Sequence, residues 1–183
     1  MVEEAHLEES VSGLAPVTLG WFVINVRDAA WETNETFGAA CFFESDDAPF
    51  AELGINVRVL SPGRSKYLYH AESNQEAFLV LSGECRLLVE GEERRLCAWD
   101  FVHCPPGTAH AFLADADSPC VIVMIGARTG GWPEKRIFYP RSELALRHGV
   151  GVEAETDSPA EALAPFPKWR RGRPDDWKAL PWA

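Results

Sequence analysis

Residues 62–114 read PGRSKYLYHAESNQEAFLVLSGECRLLVEGEERRLCAWDFVHCPPGTAHAFLA. Four potential ligands, His70, Glu72, Glu76 and His110, stand in this stretch among short aliphatic, aromatic and β-branched runs. Pro62-Gly63, Gly83, Glu90-Gly91 and Pro105-Pro106-Gly107 separate the runs. Runs this short, divided by turn residues, predict strands joined by tight turns. Residues two apart on a strand project to one face, so His70 and Glu72 point together. Glu76 follows the short Ser73-Asn74-Gln75 turn, and His110 arrives on the strand after the Pro-Pro-Gly turn.

Imidazole and carboxylate donors together suit Fe(II), Mn(II), Ni(II), Co(II) or Zn(II). No cysteine falls in the pattern, which argues against a structural thiolate zinc site. A lone histidine is usually a hydrogen-bonded core group. Two carboxylates beside it change the balance, because buried carboxylates are costly unless paired or metal-bound. If all four face inward, a divalent ion is the simplest neutraliser. Two glutamates and two neutral histidines around M²⁺ sum to zero charge, whereas three histidines and one glutamate sum to +1. The neutral set is the weaker Lewis acid, which disfavours simple hydrolysis. It leaves open O₂ chemistry at iron, isomerisation of a chelating sugar or keto-acid, and plain ligand binding. Glu72 is the weakest of the four, since it can turn to the rim.

These residues resemble the two motifs of the cupin superfamily. In the first motif Gly63 leads, His70 and Glu72 stand at the two positions of a His-x-His pair, and Glu76 and Gly83 follow. In the second, Trp99-Asp100 stands for Gly-Asp, Pro105-Pro106-Gly107 gives the turn, and His110 follows. Besides Trp99, two departures matter: Glu72 replaces a histidine and Ala114 replaces a closing Asn. The resemblance implies an all-β fold, a double-stranded β-helix (jelly-roll) barrel. It implies a metal-binding protein that acts on or binds a small molecule, of dioxygenase or isomerase type if it is an enzyme. The other function class is a ligand-binding or sensing cupin without turnover.

Outside that stretch, Leu53–Leu60 alternates cleanly. Leu53, Ile55, Val57 and Val59 share one face, and Asn56, Arg58 and Leu60 share the other. Val17–Val26 and Phe37–Glu44 read as strands, with a loop or short helical turn between them at DAAWETNET. Pro119–Ile125 is apolar on both faces, as in a strand packed between a barrel interior and another layer or subunit. Residues 1–15 read as a loose acidic segment, 16–128 as the barrel and 129–183 as a helical, Trp- and Pro-rich extension. In the extension Thr129–Pro133 is a loop, and Arg141–His148 is a short helix stopped by Gly149. Ser158–Ala164 opens with a Ser cap, a Pro and a Glu three residues on.

The 183 residues suffice for one domain with a sizeable core. Seventeen Lys and Arg against 28 Asp and Glu give a net charge of −11, which disfavours a nucleic-acid partner. No apolar run approaches the ~20 residues of a membrane helix, and the acidic start does not resemble a secretory signal. The five cysteines, Cys41, Cys85, Cys97, Cys104 and Cys120, show no C-x-x-C pairing. Reduced, buried thiols in a cytoplasmic protein are expected. Lys168, Arg170, Arg171 and Arg173 read as a solvated or salt-bridged basic face. His103, in phase with Trp99 and Phe101, reads as a structural histidine or, failing that, a pocket-lining one, and Tyr69, opposite in phase to His70, as packing. No nucleophile elbow, phosphate loop or H-E-x-x-H motif is found. Trp169, Trp177 and Trp182 are too apolar to leave in water, so the tail is expected to dock on the barrel or across a homodimer axis.

Overall fold

A computed structural model describes residues 1–63, 66–114, 117–128, 137–175 and 177–182. In chain order the strands are Leu7–Ser10 (β1), Gly13–Pro16 (β2), Ala30–Asn34 (β3), Gly38–Phe42 (β4), Leu53–Leu60 (β5), Ala71–Glu72 (β6) and Glu76–Ser82 (β7). There follow Glu84–Val89 (β8), Glu92–Cys97 (β9), Phe101–Cys104 (β10), His110–Ala114 (β11), Cys120–Ala127 (β12) and Ile137–Phe138 (β13). The C-terminal part adds Glu143–Arg147 (α1), Pro159–Leu163 (α2) and Arg170–Arg171 (β14). The fold is all-β, a jelly-roll barrel of antiparallel sheets. The larger sheet runs β10-β7-β12-β5-β4-β3-β14 and faces a smaller one, β11-β8-β9. Backbone bridges from Lys66 to Leu113 and from His70 to His110 lay the 66–72 segment beside β11.

β12 lies between β5 and β7 and pairs with both. Its alternation separates two cores. Cys120 and Ile122 join Leu60, Phe78, Val80, Leu87 and Phe112 inside the barrel. Val121 turns outward with Val57, Val59, Cys41 and Trp31. The apolar character of both faces thus reflects a strand covered on two sides. Gly83, at φ 76°, brings the β7–β8 turn against this strand. A Cβ there would lie 2.2 Å from the Pro119 carbonyl oxygen, so no side chain fits. Trp99 has φ 76° as well, at the position where the resemblance places a glycine. The turn keeps the left-handed backbone and imposes strain on a bulky residue.

The outer core is completed by the chain's own C-terminus. Trp31 is fully buried, and its ring lies 5.4 Å from both the Trp177 and Trp182 rings. Trp169 stacks on Phe37 at 6.2 Å, and β14 adds to the larger sheet beside β3. Asn34 fastens this junction: its amide donates to the Pro167 carbonyl (2.7 Å), and its carbonyl accepts from the Thr36 and Phe37 amides. Both short helices carry serine caps. Ser142 Oγ accepts from the Ala145 amide and Ser158 Oγ from the Glu161 amide. Glu161 binds Thr156 rather than closing a reciprocal capping box.

Three local expectations change. Val17–Val26 is not a strand. Only Trp21 bridges, to Glu4, and Val23 is exposed. Strand propensity there finds no neighbouring ladder to join. Residues 1–15, expected to be loose, contain the β1–β2 hairpin, held to the barrel by Leu14 N donating to Asp28 O and Trp31 N to Ser12 O. DAAWETNET contains β3, because burial of Trp31 outweighs the polar composition around it. The Thr129–Pro133 loop expectation lies outside the described residues. Among those described, no helix is long and apolar enough to cross a membrane.

Candidate metal centre

His70 and His110 face each other across an antiparallel bridge. Each amide donates to the other's carbonyl, at 3.0 and 2.8 Å. The rings that result are 4.9 Å apart. In both, Nδ1 meets a backbone carbonyl two residues earlier: Leu68 O for His70 (2.7 Å) and Thr108 O for His110 (3.0 Å). A carbonyl only accepts, so Nδ1 carries the proton in each ring. Nε2 then carries the lone pair in each ring, the arrangement found behind metal-binding histidines.

Glu76 opens β7, in register with Cys104 on β10 and Gly126 on β12. Its Oε2 lies 3.7 Å from His110 Nε2. One donor atom each from His70, Glu76 and His110 falls within 4.8 Å of the others, a spacing that can hold one metal ion. Glu72 is buried on the same side of the segment as His70, with Oε1 4.0 Å from His70 Nε2. It stands beside this three-residue group rather than within it. Its carbonyl accepts from the Gly107 amide (2.8 Å), which ties the first ligand segment to the Pro-Pro-Gly turn.

The surroundings are apolar on one side. Phe78 packs on the His110 ring at 5.0 Å, and Phe112 lies behind both. His110 is 2 % exposed. Burial, reinforced by His70, pushes its pKa down to about 4, so the imidazole is neutral at pH 7. The donor set is two imidazoles and at least one carboxylate, which fits a divalent ion of the Mn-to-Zn series. Cys104, paired with Glu76 across the sheet, is no competitor. Burial and then the Glu76 charge push its thiol up to about 11. Cys41, buried in the outer core, is pushed up to about 12. All five cysteines are unbridged, and four are buried.

Tyr139 is a neighbour of the site that the motif reading passes over. β13 pairs with β6, Ile137 opposite Glu72, and this brings the Tyr139 ring to 5.9 Å from His70. Burial, then the Glu72 charge, raises its phenol, which stays protonated as a donor. The only sequence signal is the short run Ile137-Phe138-Tyr139 before Pro140, far along the chain from the ligands. Tyr69 packs away from the site, against Leu88 and Ala111. His103 sits exposed on β10 and does not join the cluster.

Residues 56–126 match the family described as Cupin domain. No curated protein matches the sequence. A putative sugar phosphate isomerase from Acidithiobacillus ferrooxidans is 28% identical over 48% of this chain and 54% of its own, with a TM-score of 0.42. This chain therefore spans about half the length of that relative. A sugar phosphate isomerase from a cupin superfamily of Silicibacter pomeroyi is 18% identical over 66% of this chain and 83% of its own, with a TM-score of 0.54. A polyketide cyclase from Streptomyces resistomycificus is 14% identical over 58% and 79%, with a TM-score of 0.52. At these identities the last two are likenesses of fold alone. With the profile match, the barrel and the motif spacing agreeing, the chain contains a cupin domain.

Proposed function

We propose that this protein is a metal-binding cupin that acts on or binds a small molecule inside the barrel, with His70, Glu76 and His110 as the metal ligands and Glu72 as a fourth, weaker one. The observation that carries this reading is the paired Nδ1 anchoring. Both histidines are held at Nδ1 by backbone carbonyls, with His110 Nε2 3.7 Å from Glu76 and His70 Nε2 4.0 Å from Glu72. Two histidines and one carboxylate leave coordination positions open, and a bound divalent ion supplies Lewis-acid polarisation or, as iron, a site for O₂. The chain's own residues do the rest. Phe78 and Phe112 exclude water from one side, the Tyr139 ring lies beside His70 with its phenol protonated, and Glu72 sets the charge of the centre. Three structural neighbours bear the names of two isomerases and a cyclase, but their low identity carries no activity across. Turnover with O₂ consumption or sugar isomerisation supports the enzyme reading, and saturable binding without product supports the ligand-binding one.

The ligand assignment is checked by metal analysis of protein purified without chelator or metal column. Ala at His70, Glu76 or His110 is expected to lower bound metal at least tenfold, and Glu72→Ala less. Undiminished metal in His110→Ala contradicts the assignment.

Acid supplies a second check. The folded pKa of His110 lies below its ordinary value of about 6.5, so the unfolded chain binds more protons between pH 6.5 and about 4. Stability of the chelator-treated protein is therefore full above pH 6.5 and falls as pH drops through that window. The two pKa values correspond to a loss of about 3 kcal/mol, observable by urea unfolding. A flat profile between pH 7 and 4, or one that His110→Ala leaves unaltered, contradicts the buried neutral imidazole.

We also propose a homodimer. The three tail tryptophans pack within the chain, so the contact moves to Trp99 and Phe101, which are 75 % and 65 % exposed at the edge strand β10. Light scattering at micromolar concentration is expected to give the mass of two chains, and Trp99→Glu that of one. A wild-type monomer contradicts this.

A further inference from the structure

Arg58 is on the face of β5 shared with Asn56 and Leu60, and Leu60 belongs to the inner core of the barrel. Its guanidinium carbon lies 5.4 Å from the Phe42 ring centre, 5.3 Å from Tyr67 and 5.1 Å from Trp169. Nε donates to Asn56 Oδ1 at 2.9 Å, which fixes the plane of the group. Nη1 is buried and has no hydrogen-bond acceptor. The Tyr67 hydroxyl, on the segment that leads to His70, is likewise buried; the Arg58 guanidinium is its polar neighbour, and no acceptor takes its proton. The chain has 28 acidic residues, yet among the described residues none lies within ion-pair distance of Arg58. Aromatic faces attract a guanidinium but accept no N–H hydrogen bond comparable to a carboxylate's. A half-buried cation without a counter-charge gives up part of its hydration in the free protein with no ion pair to offset it.

We propose that Arg58 and the Tyr67 hydroxyl form an acid-recognition pocket that receives a carboxylate of the small-molecule ligand. The assignment deepens the small-molecule reading above and rests on it for the ligand entering the barrel. Two adjacent buried donors, one N–H and one O–H, match the two oxygens of one carboxylate. The single positive charge matches its single negative charge. A phosphate would carry more charge and more lone pairs than two donors satisfy, and would press its remaining oxygens against three aromatic rings. Burial raises the Tyr67 phenol, against the opposing pull of Arg58, so it remains a donor. Arg58 is half-buried, but Nη1 and the Tyr67 hydroxyl are themselves covered, so a carboxylate reaches them only when a covering ring such as Trp169 moves aside. Trp169 comes from the extension, so the C-terminal segment supplies one wall of the pocket.

The test is thermal unfolding of the full-length, chelator-treated protein in sodium acetate, benzoate, succinate, phosphate or chloride at matched ionic strength. At least one carboxylate is expected to raise the wild-type Tm saturably above chloride. Arg58→Met is expected to abolish that response while melting no lower than wild type in chloride. Arg58→Lys, which keeps the charge but loses the planar fork, is expected to weaken carboxylate binding at least tenfold. Tyr67→Phe is expected to weaken it about three- to tenfold. The same carboxylate response in Arg58→Met and Arg58→Lys as in wild type overturns the proposal, as does no response of the wild type to any of the three carboxylates. A response to phosphate alone overturns the carboxylate assignment, and an Arg58→Met that melts well below wild type makes Arg58 a structural group. Because the measurement uses metal-free protein, a protein that binds no metal yet shows the Arg58-dependent response sinks only the metal reading. One that binds metal at His70, Glu76 and His110 but ignores carboxylates sinks only this one.

Discussion

The candidate site depends on one backbone contact, the reciprocal hydrogen bonds between His70 and His110. Both rings take their positions from it. The pairing sets the two Cα atoms opposite each other, and the carbonyls of Leu68 and Thr108 then hold each Nδ1. A strand pair fixes direction better than a loop does, since neighbouring ladder bonds must break together before a ring can turn. Glu76 reaches the same point from the opposing sheet, so the donor cluster spans the barrel interior rather than lying along one strand. Displacing either sheet by one residue would carry a ligand to the outer face.

That constraint explains why the outer layer matters to a site it scarcely touches. β12, between β5 and β7, is buried on both sides, and its outward residues need a cover. The C-terminal segment provides it through Trp177 and Trp182 on Trp31. Without that cover the sheet carrying Glu76 would expose Val57, Val59 and Val121 to water. Burying each such side chain is worth about 1.5–3 kcal/mol. The same extension brings Tyr139 beside His70 and Trp169 over Arg58. It thus stabilises the barrel and lines its contents.

What the sequence disclosed follows from range. The motif turns are local: Gly83 takes a left-handed turn between β7 and β8, and His110 follows three residues after Gly107. The spacing of His70, Glu72, Glu76 and His110 was therefore readable, as was the alternation of β5 that sets Arg58 with Leu60. The position of Glu72 relative to the donor group was not readable, because a strand pattern fixes a face and leaves the side-chain rotamer open. Tyr139 and Trp169 reach the interior by contacts between segments far apart in the chain, which no local period records. Val17–Val26 misled for the same reason in reverse. Its residues favour strands, but whether a partner strand runs beside them is a property of the whole fold.

Cobalt(II) titrated into chelator-treated protein tests the central claim most directly, because its spectrum reports the donor atoms as well as the stoichiometry. Binding at His70, Glu76 and His110 predicts saturation at one equivalent, with weak visible d–d bands and no intense thiolate-to-metal absorption in the near ultraviolet. A strong thiolate band, saturation well beyond one equivalent, or an unchanged spectrum would contradict a nitrogen- and oxygen-ligated metal centre in this barrel.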